Sequence, residues 1–272
     1  MFQRSLHAAW FAALFCVGMA TLTGCASGPG LAAPGQTAEL QAGDMNAQNK
    51  LGVMYAEGSG VAQDDAQAVR WFRKAAEQGD AQAQFSLGWM HAEGRGVAQD
   101  DAQAAQWYRK AAEQGNRYAQ FNLGQMFLHG RGVHQSDAEA IKWYRKAARQ
   151  GNAQAQFSLG LMYAEGRGIF QNDVVAVQWY RKAAEQALVQ AQNNLADMYE
   201  KGRGVFQSDA EAARWYREAA RQEFALAQYS LGVMYKEGRG VAQSDAEAIK
   251  WYRLAARQGN EEAKAALEAM EK

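Results

Sequence analysis

The large apolar residues of this chain recur at a fixed interval of 36 positions. A Trp-aromatic pair at 71–72 returns at 107, 143, 179, 215 and 251, and a leucine at 51 returns in the same register as far as 267. Around each pair the apolar positions are spaced 3, 4, 7 and 8 from the first, as in Ala68, Trp71, Phe72, Ala75 and Ala76, which is one face of a helix. A repeat of this length indicates stacked helical units without a single central core.

Each unit is predicted to be a helix, a glycine turn and a second helix, here called helix A and helix B. Helix A of the first unit is expected over Met45–Glu57, ending at Gly58-Ser59-Gly60, and later units end it with Gly-Arg-Gly. Helix B is expected to begin after a polar cap. The caps followed by Glu or Gln are Asp64-x-x-Gln67, Asp100-x-x-Gln103, Ser136-x-x-Glu139, Ser208-x-x-Glu211 and Ser244-x-x-Glu247, and unit four has Asn172-x-x-Val175 instead.

Composition supports an all-α fold without disulfides or a nucleic-acid partner. Both prolines, Pro29 and Pro34, precede the first unit, so the residue that most reliably breaks helices is missing from the repeats. Both cysteines also precede the repeats, so stability must come from packing. Lys plus Arg and Asp plus Glu are equal at 29 each, which leaves no basic excess for nucleic acid. We expect six units over 43–258 and a capping helix over 259–272.

The first 25 residues have the pattern of a targeting segment. Arg4 precedes an apolar stretch over 8–20 that is short for a bilayer span, and Leu22-Thr23-Gly24-Cys25 follows. This tetrapeptide resembles the lipobox of bacterial lipoproteins, which implies cleavage after residue 24 and lipid on Cys25. An ordinary signal peptide or an uncleaved anchor are the alternatives. Residues 25–42, rich in Ala, Gly, Ser and Gln, would then be the lipidated cysteine and a flexible tether.

The predicted location is therefore the cell envelope. Ala26, directly after the cysteine, is not the aspartate that resembles an inner-membrane retention signal. In a cell with two membranes, we expect the outer membrane.

Helix A has one face that is nearly constant and one that varies. The columns of Leu51, Gly52, Met54 and Tyr55 barely change between units. The columns that begin with residues 46, 50, 53 and 57 change freely, and at about 100° per residue they all fall within about 40° of the direction of residue 46. The constant face is predicted to be packed. The variable face is predicted to be a surface shared by all units.

The unit resembles the Sel1-like repeat, a relative of the tetratricopeptide repeat. The matching pattern is A-x-x-x-L-G-x-M-Y-x-x-G-x-G-V followed by A-x-x-W-Y-R-K-A-A. The resemblance implies a right-handed α/α solenoid whose A helices line a concave groove that holds a protein or peptide. Trp89 is the expected anchor. The other groove residues expected on this basis are Tyr118, Gln125, Leu161, Asp197, Leu226 and Val233.

The later units depart from the pattern at two places. The turn Gln-Gly-Asn becomes Gln186-Ala187-Leu188 and then Gln222-Glu223-Phe224, which predicts a longer or re-angled connection. In the loop between helices A and B, Phe170 and Phe206 replace the Ala or His of other units. Either these phenylalanines pack on adjacent repeats, or together with Leu188 and Phe224 they form an exposed apolar patch for a partner.

No catalytic, metal or cofactor site is predicted. His91, His129 and His134 have no acidic or thiol ligand at metal spacing, and neither a G-x-S-x-G elbow nor a Ser-x-x-Lys pair occurs. The Arg73-Lys74 column is interpreted as a solvated face paired with acidic side chains. The last helix carries only Ala263, Leu267 and Met270 as an apolar stripe, which favours a monomer.

Three functions remain open. The first is a lipid-anchored scaffold that binds a protein or peptide in its groove. The second is β-lactam binding or hydrolysis, as described for cysteine-rich relatives whose disulfide in each repeat is missing here. The third is an adaptor in cell-wall or envelope assembly.

Overall fold

The structure is a computed structural model that describes residues 44–270. The predicted signal peptide, Cys25 and tether lie outside the described residues, so those assignments stay predictions. The described residues form thirteen helices and no strands. The helices are α1 Met45–Glu57, α2 Asp65–Glu77, α3 Ala81–Glu93, α4 Asp101–Glu113, α5 Arg117–His129, α6 Asp137–Arg149, α7 Ala153–Glu165, α8 Asp173–Glu185, α9 Val189–Lys201, α10 Asp209–Arg221, α11 Ala225–Glu237, α12 Asp245–Arg257 and α13 Glu261–Met270.

The predicted caps of the B helices are confirmed, and their geometry differs from the full capping box in one respect. The Ser136 Oγ accepts from the Glu139 amide at 3.3 Å, and the Asn172 Oδ1 accepts from the Val175 amide at 3.0 Å. The Ser136 amide, however, donates to the Phe127 carbonyl at 2.9 Å, and not to its own Glu139 side chain. The cap therefore also joins the end of helix A to the start of helix B.

The core of each unit is built where an aromatic ring of helix B lies on a glycine of helix A. A Cβ atom at Gly124 would come 2.6 Å from Cε1 of Tyr144, so the ring occupies the space that a side chain would need. Leu123 and Tyr144 are fully buried beside this contact. In the fifth unit the glycine is replaced by Ala196, which is buried.

The altered turns of units four and five keep the length and path of the glycine turns. Helices α8 and α9 are separated by three residues, as are the B and A helices of other units. Ala187 and Glu223 simply adopt the left-handed conformation themselves, each with φ 61°. The prediction of a longer or re-angled connection was wrong. Packing of the flanking helices imposes the turn, and a non-glycine residue accepts the strain there.

Consecutive helices pack antiparallel, and each B helix also contacts the A helix of the next unit. Helix α13 packs on α12 and follows the sixth unit. The predicted all-α solenoid of six units with a C-terminal helix is thereby confirmed. The buried hydrophobic residues of the described part form three clusters that follow one another along the array, as expected when each unit buries its apolar face only against its neighbours.

Candidate partner-binding surfaces

The variable face of the A helices is open in its middle and later units. Leu226, at the start of α11, is the most exposed of the predicted groove residues at 49 %. The remaining predicted residues, apart from Trp89, are half-buried, with part of each side chain in solvent. They are Tyr118, Gln125, Leu161, Asp197 and Val233.

Trp89 is not an exposed anchor. Only 8 % of the residue is accessible, and the Arg95 guanidinium lies over its ring, 4.9 Å from the ring centroid. Val53, in the same column of the first unit, is equally buried. The helix pattern placed this column opposite the core of its own unit, but Val53 and Trp89 both belong to the buried hydrophobic cluster of the first four units. The expectation that Trp89 lines the open surface was wrong.

Another variable column, which begins with Lys50, serves the core and not a partner. Its members in later units are Ser or Asn, and Ser86 and Asn122 are buried. Burial raises the pKa of the Tyr180 phenol to about 12, and a hydrogen bond with Asn194 acts in the opposite direction. Asn122 opposes the same effect of burial at Tyr108. Asn122 and Asn194 thus lie at tyrosine hydroxyls of the preceding unit. Ser86 does not share this role, because the equivalent aromatic residue of the first unit is Phe72.

The units are connected by a ladder of buried glutamines, which was not predicted from the sequence. Gln156 of α7 accepts from the Gln186 Nε2 at 2.8 Å, and its own Nε2 donates to the Ala148 carbonyl at 3.1 Å. The first bond lies within a unit, and the second reaches back to the preceding unit. The same pair of bonds recurs at Gln84, Gln120, Gln192 and Gln228.

The arginine of each Gly-Arg-Gly turn clamps the turn to the unit before it. Arg95 donates to Asp65 at 2.6 Å, and Arg167 lies 3.1 Å from Asp137. The aspartate is the first residue of a B helix, so the pair also places negative charge at a helix N-terminus. In the sequence, each turn arginine follows the aspartate of the preceding unit by 30 residues, and this constant spacing was the signal from which the contact could have been predicted. Arg131–Asp101 and Arg203–Asp173 are the other close pairs.

The Arg73-Lys74 column faces aromatic side chains in the structure, and not acidic ones as expected. Arg145, of the arginine column, donates to the Tyr163 hydroxyl of the next unit at 2.9 Å. The Lys74 ammonium lies 4.3 Å from the centroid of the Trp71 ring. In both cases the side-chain cation lies against an aromatic residue of the helix surface, and this contact stabilises its positive charge without an acidic partner.

The fifth unit places a charged cluster beside the open face. Asp197 pairs with Lys201 at 2.6 Å, one helical turn away. Glu200 accepts from the Tyr216 hydroxyl at 2.8 Å and pairs with Arg239 at 2.7 Å. Burial, together with the negative charge of Glu200, raises the pKa of Tyr216, so the phenol stays protonated and donates. The open face therefore changes from apolar near Leu161 to charged near Asp197.

The four residues of the predicted apolar patch separate into two groups. Phe170 and Phe206 are 94 % and 98 % exposed, so they do not pack on adjacent repeats. Leu188 is only 8 % exposed and Phe224 is half-buried, so these two serve as apolar N-cap residues that pack inward. Leu188 therefore does not belong to an exposed patch, and the patch at this edge is formed by the loop phenylalanines.

Neither a metal cluster nor a membrane span is present between residues 44 and 270. None of the helices described is both long enough and apolar enough to cross a bilayer. Over the same residues, no three His, Cys, Asp or Glu side chains are grouped to hold a metal ion. His91 is buried in a column that elsewhere holds aromatic residues, and its burial lowers the pKa of the imidazole.

These features define a helical-repeat solenoid of the kind commonly used for protein–protein interaction. The family model for the Sel1 repeat matches six consecutive segments, 46–80, 81–116, 117–152, 153–188, 189–224 and 225–260. The chain belongs to the Sel1 repeat family, as the sequence resemblance predicted. Proteins with these repeats are generally non-catalytic scaffolds.

Two solved structures are similar over most of this chain. One is c5321, a protective antigen of uropathogenic Escherichia coli with an SLR fold, at 42 % identity and a TM-score of 0.83, covering 86 % of this chain and 50 % of that one. The other is a Sel1 repeat protein from Oxalobacter formigenes, at 34 % identity and a TM-score of 0.76, covering 86 % and 68 %. This chain thus spans half the length of the Escherichia coli antigen. No curated protein matches it.

Proposed function

We propose that this protein is a lipid-anchored scaffold of the cell envelope that binds a protein or peptide through the open face of its A helices. The observation that carries the proposal is the row of dissimilar, partly exposed side chains on that face, within a fold commonly used for protein–protein interaction. The lipobox-like sequence before Cys25 supports anchoring, and the following Ala26 supports the outer membrane in a cell with two membranes.

The chemistry of the open face indicates what a bound segment would present. Leu161 and Leu226 offer apolar contacts, and Tyr118 offers a ring that packs on Phe85 at 6.0 Å between centroids. Asp197, paired with Lys201, offers a charge in the unit between Leu161 and Leu226. An extended or helical peptide with two apolar contacts and a polar or charged group between them would satisfy these residues.

Site-specific photocrosslinking tests groove binding. A photoreactive amino acid would be placed at Leu226 in the full chain, expressed in its own cells, and the control would carry it at Gln178, an exposed position on helix B. We expect a discrete crosslinked species from position 226 and none from 178. Mass spectrometry would identify the partner, and Leu226→Ser would weaken its binding to the purified chain. Equal crosslinking at both positions would contradict groove binding.

Anchoring needs a separate test. The Cys25→Ser variant should lose incorporation of a clickable fatty-acid analogue and should leave the membrane fraction. Incorporation that continues in this variant would exclude Cys25 as the lipid site.

A further inference from the structure

Three exposed apolar side chains project from one edge of the array, where units four and five meet. Besides Phe170 and Phe206, this edge carries Val174 in the first turn of α8, which is 55 % exposed. The loop that holds Phe206 packs on that turn, because a Cβ atom at Gly204 would come 2.7 Å from the Val174 amide nitrogen. Five large apolar residues in the described part of the chain are exposed, and three of them belong to this edge.

We propose that Phe170, Val174 and Phe206 form a membrane-contact edge that inserts into the interface of a lipid bilayer and orients the tethered array on it. The proposal rests on the lipid anchor of the proposed function, because the anchor brings the edge to the membrane. It adds a second contact with lipid, made by the folded array and separate from the groove.

The shape of the edge favours a bilayer over a protein partner. Exposures of 94 % and 98 % mean that the rings touch almost nothing of their own chain, so they stand out as tips and do not line a groove. Aromatic residues at the water–lipid boundary are a known means of membrane contact. The area is also small: three such side chains offer roughly 400–500 Å². Two copies would therefore bury together less than the about 1,200 Å² of a stable interface.

The charges near the edge are already paired within the protein. Arg203, in the Phe206 loop, pairs with Asp173 at 2.8 Å, and Arg167, near Phe170, pairs with Asp137. A surface without a basic excess does not need anionic lipid, so contact with zwitterionic phosphatidylcholine is expected and should depend little on salt.

The chain between the predicted lipid site and the array makes a weak contact effective. Residues 26–43 separate Cys25 from the described part. The tether predicted from the composition of these 18 residues would have a root-mean-square span of roughly 24 Å and would keep the array near the bilayer at high effective concentration. Each phenylalanine removed from water then contributes about tenfold to the ratio of docked to undocked protein.

A fluorophore at the edge tests the proposal independently of natural lipidation. The chain from residue 26 has no cysteine, so it can be tethered by an N-terminal hexahistidine tag to nickel-chelating phosphatidylcholine vesicles and labelled at Phe206→Cys alone. The matched control is Ala98→Cys, the equivalent loop position of unit two. We expect a blue shift and quenching by brominated lipid for the label at 206 only, and an about tenfold smaller docked fraction when Phe170→Ser is added.

Several results would overturn the membrane-contact edge. One is emission at 206 that matches the control at 98 in the presence of vesicles. Another is a blue shift that appears without lipid and grows with protein concentration, which would show association of two copies. The intact mass of the full chain purified from membranes reports lipidation at Cys25 separately, so failure of the anchor and failure of the edge are distinguishable.

Discussion

Replacing Gln156 by methionine should show how strongly one unit is held to the next. Methionine has nearly the same length and no branching, so it fills the site while removing both hydrogen bonds of the amide. The Ala148 carbonyl would lose its bond from Gln156 but keep the one from the Gly151 amide at 3.0 Å, so this loss is about 1 kcal/mol. The bond from Gln186 adds about 1 kcal/mol, and the apolar side chain recovers part of the total. We expect a net loss of about 1–2 kcal/mol.

The first unit provides the matched control. Gln48 accepts from Gln78 at 2.8 Å just as Gln156 accepts from Gln186, but within the described residues its Nε2 has no carbonyl of a preceding unit to reach. Gln48→Met should therefore cost about 1 kcal/mol less than Gln156→Met, and this difference reports the bond between units. Urea unfolding followed by circular dichroism measures both losses, with stability treated as a sum of unit and nearest-neighbour terms, as suits a repeat array. Equal losses at both positions would refute the reasoning.

Three further changes have expected outcomes that calorimetry or absorbance can check. Trp89→Ala should destabilise the array by about 3–5 kcal/mol because the ring is buried, and a change below 1 kcal/mol would mean that the ring is exposed. Ala187→Gly should stabilise it by about 1 kcal/mol by relieving the left-handed strain; no gain would show that the turn relaxes in solution. Burial raises the pKa of Tyr180 from 10.0 to about 12, so its contribution to stability is fully present below pH 10 and is lost as pH rises through 12. Tyr180→Phe should therefore flatten the pH dependence of the unfolding free energy over this window. An unchanged slope would exclude Tyr180 as the titrating group.

The sequence predicted most of the local structure because the same turn and cap signals occur in several units and can be compared with one another. The glycine that ends α1 and the serine that begins the cap of α6 were each assigned from local backbone chemistry, which requires no knowledge of the neighbouring units. The loop position of Phe170 was also identified as unusual, and its exposure favours the exposed patch over packing on adjacent repeats.

Contacts between units were harder to predict. A helical projection of one unit places Trp89 opposite its own core, but it does not show that the ring joins the buried hydrophobic cluster and lies beneath Arg95. The same projection made the column of Asn122 appear free, although its polar side chains lie against buried phenols. Both errors arise because burial in a solenoid is decided by the next unit as much as by the helix itself.

The glutamine ladder has a consequence for how the length of such a protein can change. Every bond of the ladder joins residues 30 or 8 positions apart, and the pattern is the same at each junction. Deleting residues 117–152 as a block would join Asn116 to Ala153 and bring Gln156 to the Ala112 carbonyl in place of Ala148. The new junction would contain the same bonds as the two that it replaced. The array can therefore be shortened or lengthened by whole units, and the length of its open face can vary while the hydrogen bonds that join the units stay the same.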